Sequence, residues 1–361
     1  MSTAFPLTRT TRPVPEAERA ARLAAPGFGR YFTDHMATAT WTADEGWHDR
    51  GIGPIAPFTL HPSAAVLHYA QEIFEGLKAY RHSDGSVWLF RPEANARRFI
   101  RSARRLALPE LPEEDFLASI GELVRADAAW VPVPTGEESL YLRPFMFASE
   151  AFLGVRPAAE ARYSVIASPA GPYFPSGVTG VTLWISGRYT RAAPGGTGAA
   201  KCGGNYAAGL AAQIEARNHG CDQVLYLDSA GRGTLEESGT MNLCLITSDD
   251  ELVTPSLGTI LEGVTRDTVL TLAPDLGLTP VERTVTFDEL RTSAADGRVT
   301  EVFAAGTAAV ITPVTGFRSD AHAFPIADGT PGKKTLALRE RVLDIQFGRA
   351  EDKHGWLRRV L

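Results

Sequence analysis

The chain has 361 residues, of which 44% are hydrophobic and 22% charged, and its formal net charge is −6. This balance is typical of a globular protein with a large core, and it argues against a nucleic-acid binder, which would show a basic excess. No stretch approaches the roughly 18 consecutive apolar residues of a membrane span. We therefore expect a cytoplasmic protein that binds neither nucleic acid nor membrane.

Residues that could carry unusual chemistry are few. The cysteines show no CxxC spacing, so we expect a reduced protein without structural disulfides and without a metal site. Residues 1–25 are rich in Pro, Arg, Ala and Thr, lack the apolar core of a secretory signal, and are expected to form a flexible arm. Any lysine-dependent chemistry has five candidates. These are Lys78, Lys201, Lys333, Lys334 and Lys353.

The first half of the chain alternates strand and helix patterns. Asp84-Gly85 lies between two strand-like runs in LKAYRHSDGSVWLFR and predicts a hairpin turn. Residues 92–106 and 113–130 predict helices, the first opened by Pro92. The runs SLYLRPFMF and ARYSVIASP predict strands. We assign residues 26–170 to a small N-terminal α/β domain.

Residues 171–182 are rich in Gly and Pro and predict an interdomain loop. Beyond it, VTLWIS, QVLYLD, TMNLCLIT, EVF and VITPV predict strands. A helix is expected from about Asn205 to His219, ending at Gly220, and another from Val264. Residues 183–361 would then form a larger C-terminal domain, so the fold class is α/β (mixed α+β) with two domains.

Lys201 lies in the glycine-rich segment GGTGAAKCGGNYAAGL. Glycine permits close approach to a bulky ligand, so this lysine could reach a flat cofactor and form a Schiff base with its aldehyde. A solvated surface loop is the alternative interpretation. Lys78 lies on a possible strand, where we expect a solvated face.

Other segments offer groups for the remainder of such a cofactor. Glu236 and Glu237 in TLEESGTMN could supply a carboxylate for a ring nitrogen, or could mark a polar turn, and spacing does not choose between them. Gly263 precedes the predicted helix at Val264-Thr265, whose first N–H groups could bind phosphate or simply start a helix. The small-residue turn Gly306-Thr307-Ala308 is a second candidate.

Arginines at two places in the chain could bind an anion. Arg98, Arg101 and Arg105 share one helix face, for which a solvated basic face is the default expectation. Arg143 lies within the apolar strand SLYLRPF, where an arginine usually needs an anionic partner. That partner could equally be a structural carboxylate.

Taken in order, these segments resemble those of the branched-chain amino acid aminotransferases, which are fold-type IV pyridoxal-phosphate enzymes. The resemblance runs from FGRYFTDHM at Phe28 to HGWLRR near the C-terminus. Its most specific blocks are YAQEIFEGLKAYR, SLYLRPF, GGTGAAKCGGNYAAG, EESGTMN, LEGVTRD and EVFAAGTAAVITPV. It implies a two-domain fold-type IV aminotransferase that moves the amino group of leucine, isoleucine or valine to 2-oxoglutarate.

The resemblance also implies roles for single residues. Lys201 looks like the Schiff-base and proton-transfer lysine, and Glu237 matches the partner of the ring nitrogen. The other expected cofactor contacts are Tyr206 at the ring hydroxyl and Arg98, Val264, Thr265 and Thr307 at the phosphate. Thr240 and Ala308 resemble positions that receive the substrate α-carboxylate, and Arg143 one that meets the distal carboxylate of 2-oxoglutarate. The expected apolar pocket consists of Phe32, Tyr69, Phe74, Tyr141 and Tyr173.

Val155 resembles a residue donated across a subunit interface, so the resemblance implies a homodimer. Animal mitochondrial members carry a CxxC pair after the GTA turn, where this chain has Ala309 and Thr312, so the pattern looks bacterial and no thiol switch is expected. Three rivals stay open. They are a fold-type IV relative with D-amino acid or aminodeoxychorismate chemistry, a transaminase of a specialised pathway, and a non-catalytic binding protein.

Overall fold

The computed structural model describes residues 5–174 and 177–361, so Pro175 and Ser176 of the predicted 171–182 loop lie outside it. The helices are α1 (Glu16–Ala24), α2 (Ala65–Tyr69), α3 (Pro92–Arg105), α4 (Glu113–Ala126), α5 (Gly203–Asn218), α6 (Val264–Leu272), α7 (Phe287–Ala295) and α8 (Lys333–Gln346). The strands are β1 (His35–Thr42), β2 (Gly46–Pro54), β3 (Glu72–Phe74), β4 (Leu77–Arg81), β5 (Val87–Phe90), β6 (Ser139–Ala148), β7 (Glu160–Ala170), β8 (Val181–Ile185), β9 (Gln223–Leu227), β10 (Leu235–Ser238), β11 (Met241–Thr247), β12 (Glu251–Thr254), β13 (Thr279–Glu282), β14 (Val299–Gly306), β15 (Val310–Arg318), β16 (Ala323–Pro325) and β17 (Leu357–Arg359).

The described chain divides into two compact units. Unit 1 extends to residue 173 and includes residues 200–203 and 344–361, whereas unit 2 comprises residues 174–199 and 204–343. The sequence placed the segments 200–203 and 344–361 in the second domain. They cluster with unit 1 because β17 pairs with β5 and because the Lys201 carbonyl accepts a hydrogen bond from the Phe74 N–H.

Unit 1 is built on an antiparallel sheet in the order β17-β5-β4-β6-β7-β1-β2, with β3 paired to β6. The predicted hairpin is confirmed, since Tyr80 on β4 lies opposite Trp88 on β5 and Gly85 in the turn has φ 86°. Helices α3 and α4 contribute Phe99 and Phe116 to the buried core of this unit. The sheet and these helices position the side chains that project from β3, β4, β6 and α3.

Two local predictions in unit 1 need correction. The helix predicted over 113–130 ends at Ala126, and a separate 3-10 turn spans Ala128–Trp130. Lys78 does not lie on a solvated face, because β4 is an interior strand of the sheet and Lys78 is only 7% exposed. The helix predicted over 92–106 is confirmed as α3, with Pro92 in its first turn.

Unit 2 is built on a second sheet in the order β10-β9-β8-β15-β14-β11-β12-β13. Strand β10 also pairs with β11, so six of these strands close into a ring. The predicted helix after the lysine loop is confirmed as α5, and Gly220 beyond it has the left-handed φ of 68° expected of a helix end. None of the helices within residues 5–174 and 177–361 has both the length and the apolar character needed to cross a bilayer.

Candidate active site

Lys201 is anchored through its backbone to other residues of unit 1. Its N–H donates to the Ser102 Oγ at 2.9 Å, and its carbonyl accepts from the Phe74 N–H at 3.0 Å. Two residues later, the Gly203 N–H donates to the Glu72 carboxylate. The Lys201 Nζ lies 4.8 Å from the centre of the Phe74 ring. The glycine-rich sequence therefore forms a segment with fixed anchors at the lysine and just beyond it.

The surroundings of Lys201 favour its neutral form. Burial, and after it the positive charge of Arg98, lower the pKa of the Lys201 amine from 10.5 to about 8, although the Glu75 carboxylate opposes the shift. A lysine must lose its proton before it can act as a nucleophile or base. A substantial fraction of this amine is neutral close to physiological pH.

Arg98 lies on the side of α3 that faces the core of unit 1. Its Nε and Nη2 donate to the two carboxylate oxygens of Glu75 at 2.7 and 2.8 Å, and Asn95 donates to the same carboxylate at 2.7 Å. Burial alone would raise the pKa of Glu75, but Arg98 holds it below its usual range. The expected solvated basic face is therefore wrong for Arg98, whereas Arg101 and Arg105 are exposed.

Arg143 forms a cluster with two aromatic residues. It projects from β6 with its guanidinium 4.7 Å from the Phe74 ring centre and 5.4 Å from that of Tyr141. Its Nη2 donates to the Tyr141 hydroxyl at 3.1 Å. A Cβ at Gly76 would come within 2.1 Å of the same hydroxyl, so a side chain at this position would displace the Tyr141 ring. The cluster offers a carboxylate-binding cation beside apolar surface.

The other expected substrate residues of unit 1 are exposed. Phe32 and Tyr69 are each 40% exposed, Tyr173 is 52% and Val155 is 88%. The Tyr69 hydroxyl donates to the carbonyl of Leu153, two residues before Val155. Unit 1 thus brings together Lys201, Arg98, Phe74, Tyr141 and Arg143, and it leaves the other four on its surface.

In unit 2, Glu237 is a buried carboxylate with three partners. Its Oε1 accepts from the Asn242 side chain at 3.0 Å and from the Leu261 N–H at 3.1 Å, and its Oε2 pairs with the guanidinium of Arg191. Glu236 precedes it on β10, within a stretch where the pairing of β10 with β9 shifts register. It accepts a hydrogen bond from the Thr259 hydroxyl, and burial raises its pKa. Of the two glutamates, Glu237 is the one in direct contact with a cation.

Tyr206 and Thr240 line one cavity of unit 2, with a volume of about 110 Å³. Tyr206 comes from the first turn of α5, and Thr240 from the turn between β10 and β11. Thr240 follows Glu237 by three residues in the sequence, in the turn that leaves β10. The full lining is Arg191, Asn205, Tyr206, Gly209, Leu210, Gln213, Gln223, Tyr226, Gly239 and Thr240.

The two expected anion sites of unit 2 are a helix start and a strand turn. Helix α6 begins at Val264, and Gly263 before it has no side chain to cap the first N–H groups. A Cβ on Gly263 would lie 2.0 Å from the Asn242 Oδ1, so the helix start approaches the residue that holds Glu237. Thr307 and Ala308 form the partly buried turn between β14 and β15. Both arrangements suit a phosphate or carboxylate.

Each unit carries groups that suit parts of pyridoxal phosphate. Unit 1 supplies a lysine with a lowered pKa, which suits the aldehyde. Unit 2 supplies a buried carboxylate and a helix N-terminus, which suit the ring nitrogen and the phosphate. Across residues 5–174 and 177–361 no cluster of His, Cys, Asp or Glu has the arrangement of a metal site.

The sequence did not identify several residues of the site, and three of them hold a reactive or charged group. They are Ser102, which holds the lysine backbone; Glu75, which pairs with Arg98; and Arg191, which pairs with Glu237. Glu75 and Arg191 are charged residues within the short segments FEGLKAY and YTRAAP. If these segments had been predicted to be buried, each charge would have indicated the need for a partner. Ser102 gave no such indication, because a serine within a helix has little effect on helix stability and does not by itself indicate a role.

Comparisons with known proteins give one consistent result. The family model described as amino-transferase class IV matches residues 72–317. A branched-chain-amino-acid aminotransferase of Mycolicibacterium smegmatis is 54% identical over 99% of this chain and 98% of its own length. The branched-chain amino acid aminotransferase of Escherichia coli superposes with a TM-score of 0.74 at 28% identity, covering 90% of this chain and 100% of that one. The Thermobaculum terrenum enzyme in its PLP-bound form gives 0.73 at 25% identity, covering 91% and 98%.

Proposed function

Because the chain belongs to the class IV aminotransferases, we propose that it transfers the amino group of L-leucine, L-isoleucine or L-valine to 2-oxoglutarate, giving the 2-oxo acid and L-glutamate. The enzyme depends on pyridoxal 5'-phosphate. Within the structure, the proposal rests above all on Lys201, an anchored amine whose pKa is about 8. The same reaction runs in both directions, since 2-oxoglutarate and the branched 2-oxo acids are alike as amino-group acceptors.

Lys201 is assigned the proton transfers of the reaction. When bound, pyridoxal phosphate draws electron density from the substrate Cα and so acidifies the proton on that carbon. The neutral Lys201 amine accepts this proton and later returns it, which the lowered pKa permits. Glu237 keeps the proton on the ring nitrogen. The assigned phosphate residues are Arg98, Val264, Thr265 and Thr307, and Tyr206 is assigned to the ring hydroxyl.

The substrate pocket must bind an apolar side chain in one half-reaction and a carboxylate in the other. Arg143, beside Phe74 and Tyr141, is assigned to the distal carboxylate of 2-oxoglutarate and glutamate, and the two rings to branched side chains. Thr240 and Ala308 are assigned to the α-carboxylate, and Phe32, Tyr69 and Tyr173 to the apolar pocket. Val155, which is 88% exposed, is assigned to the interface of a homodimer. We also propose a cytoplasmic location, with the three buried cysteines kept as free thiols.

The substrate assignment is tested with L-leucine and D-alanine side by side, each with 2-oxoglutarate as acceptor and glutamate formation as the readout. The proposed function predicts turnover of L-leucine and none of D-alanine. The reverse result would assign the chain to the D-amino acid branch of the family. Slow turnover of all three branched-chain amino acids would favour a specialised transaminase.

A further inference from the structure

Arg191 is a buried cation at the carboxylate assigned to the cofactor ring. In the sequence it follows β8 and precedes α5, and its side chain is only 6% exposed. The guanidinium pairs through Nε with the Glu237 Oε2, and its Nη1 donates to the carbonyls of Gly198 at 3.0 Å and Thr259 at 3.2 Å. One side chain thus ties Glu237 to two backbone segments.

The two backbone segments leave little freedom around the guanidinium. A Cβ at Gly198 would lie 1.9 Å from the Thr259 carbonyl oxygen and 2.6 Å from the Cβ of Ala192. The segments whose carbonyls accept from Arg191 are therefore packed against each other, and they fix where the guanidinium can sit. The position of the charge beside Glu237 is set by the fold.

The charge of Arg191 bears on the ionisation of Glu237. Glu237 is only 2% exposed, and a carboxylate that deep in a protein becomes protonated unless a cation or hydrogen-bond donors stabilise its charge. Asn242 and the Leu261 N–H supply neutral donors to Oε1. Arg191 supplies the full positive charge, and a guanidinium keeps that charge at any physiological pH.

We propose that Arg191 is a positioning residue that keeps Glu237 ionised, and thereby sets how firmly Glu237 holds the proton of the cofactor ring nitrogen. The inference rests on the proposed function, because it concerns the carboxylate assigned to the ring. A neutral Glu237 would be a poor partner for a protonated ring nitrogen. Loss of Arg191 should then weaken the electron sink while the substrate pocket stays intact.

The test compares Arg191→Gln, which removes the charge, with Arg191→Lys, which keeps it. Arg188→Gln is the matched control, since Arg188 is an exposed arginine three residues away that lies 5.1 Å over the Tyr189 ring. For each holoenzyme we would measure the pH midpoint of the visible cofactor band, the Kd of pyridoxal phosphate, and kcat and KM for L-leucine.

Arg191→Gln is expected to raise the pH midpoint of the visible band by about one unit. A ring nitrogen that has lost its proton carries no positive charge, so it no longer opposes protonation elsewhere on the cofactor, and that protonation persists to higher pH. It should lower kcat by roughly 10²-fold, with KM within about twofold. Arg191→Lys should restore the midpoint and most of kcat, and Arg188→Gln should match the wild type.

A purely structural role gives a different result. The Gln and Lys variants would then lose thermal stability alike, and the band midpoint would stay at its wild-type value in both, which overturns the inference while leaving the proposed function in place. If the wild-type protein gave no visible band with pyridoxal phosphate, both would fail together.

Discussion

The side chain of Ser102 holds the backbone of Lys201: the Ser102 Oγ accepts the Lys201 N–H at 2.9 Å. Arg98 lies one turn earlier on α3, so a single helix carries both the anchor of the lysine and the arginine that helps to lower its pKa. Ser102 is fully buried, so water cannot replace it as acceptor. Helix α3 therefore acts on both the position and the charge state of the reactive amine.

Ser102→Ala should lower stability by about 1–3 kcal/mol, since it leaves the Lys201 N–H without its acceptor. It should also lower kcat by roughly tenfold, because small displacements of a reacting group slow the chemistry. Ser119→Ala is the matched control, as Ser119 is equally buried and bonds the Phe116 carbonyl and the Tyr163 hydroxyl. Thermal unfolding and steady-state kinetics would show stability losses in both variants and a kcat loss only in Ser102→Ala. Equal kcat values would contradict the anchoring role.

The amine of Lys201 should titrate with a midpoint of about 8 in protein stripped of its cofactor. Its pKa is lowered, so the neutral, reactive form accumulates as the pH rises through 8, well before an ordinary lysine loses its proton at 10.5. Acetylation rates at Lys201, followed by peptide mass spectrometry from below the lowered pKa to above the ordinary one, measure this midpoint. A midpoint near 10.5 would mean that burial and Arg98 do not act on the amine as described.

Glu237→Gln and Glu236→Gln form a matched pair, because both carboxylates are buried neighbours on β10 but have different partners, Arg191 for Glu237 and the Thr259 hydroxyl for Glu236. Glu237→Gln should lower kcat by roughly 10²-fold, since the ring nitrogen loses the partner that holds its proton. Glu236→Gln should keep kcat within about twofold of the wild type. It should also change the free energy of unfolding little, because burial raises the pKa of Glu236 and so already favours its uncharged form. Steady-state kinetics with L-leucine separate the two. An equal loss in both variants would remove Glu237 from its assigned role.

Arg143→Gln should damage one half-reaction far more than the other. With 2-oxoglutarate the variant should lose roughly 10–100-fold in rate, because the distal carboxylate loses its guanidinium partner. With L-leucine it should stay within about threefold, since Phe74 and Tyr141 remain. Arg156→Gln is the control, as Arg156 also lies over a ring, Phe152, at 4.1 Å. Single-turnover measurement of each half-reaction tests the assignment, and equal losses in both would contradict it.

The sequence located the elements that carry the site but not the partners of its charges. The hairpin at Asp84-Gly85 and helix α3 have strong local signals, a turn dipeptide and Pro92 with helical apolar spacing, and both were predicted. The glycines made the Lys201 loop a candidate, and the family resemblance gave the lysine its role. These features depend on neighbours in sequence, which a single chain displays directly.

The failures involve contacts between residues distant in sequence. Lys78 was expected on a solvated face, but the order of strands in the sheet makes β4 an interior strand. From its spacing alone, Arg98 was expected on a solvated face, yet it pairs with Glu75, 23 residues earlier. Arg191 and Glu237 are 46 positions apart (237 − 191) and meet only because the fold brings their segments together. No local pattern encodes such a pairing.

The absorption spectrum of the purified protein, recorded before and after L-leucine and then after 2-oxoglutarate, tests the central claim most directly. We predict a visible cofactor band that fades with L-leucine and returns with 2-oxoglutarate, and no such cycle in Lys201→Ala. That result would establish the cofactor, the lysine and both half-reactions together. A protein that stays colourless after incubation with pyridoxal phosphate, or a Lys201→Ala variant that cycles like the wild type, would contradict the account.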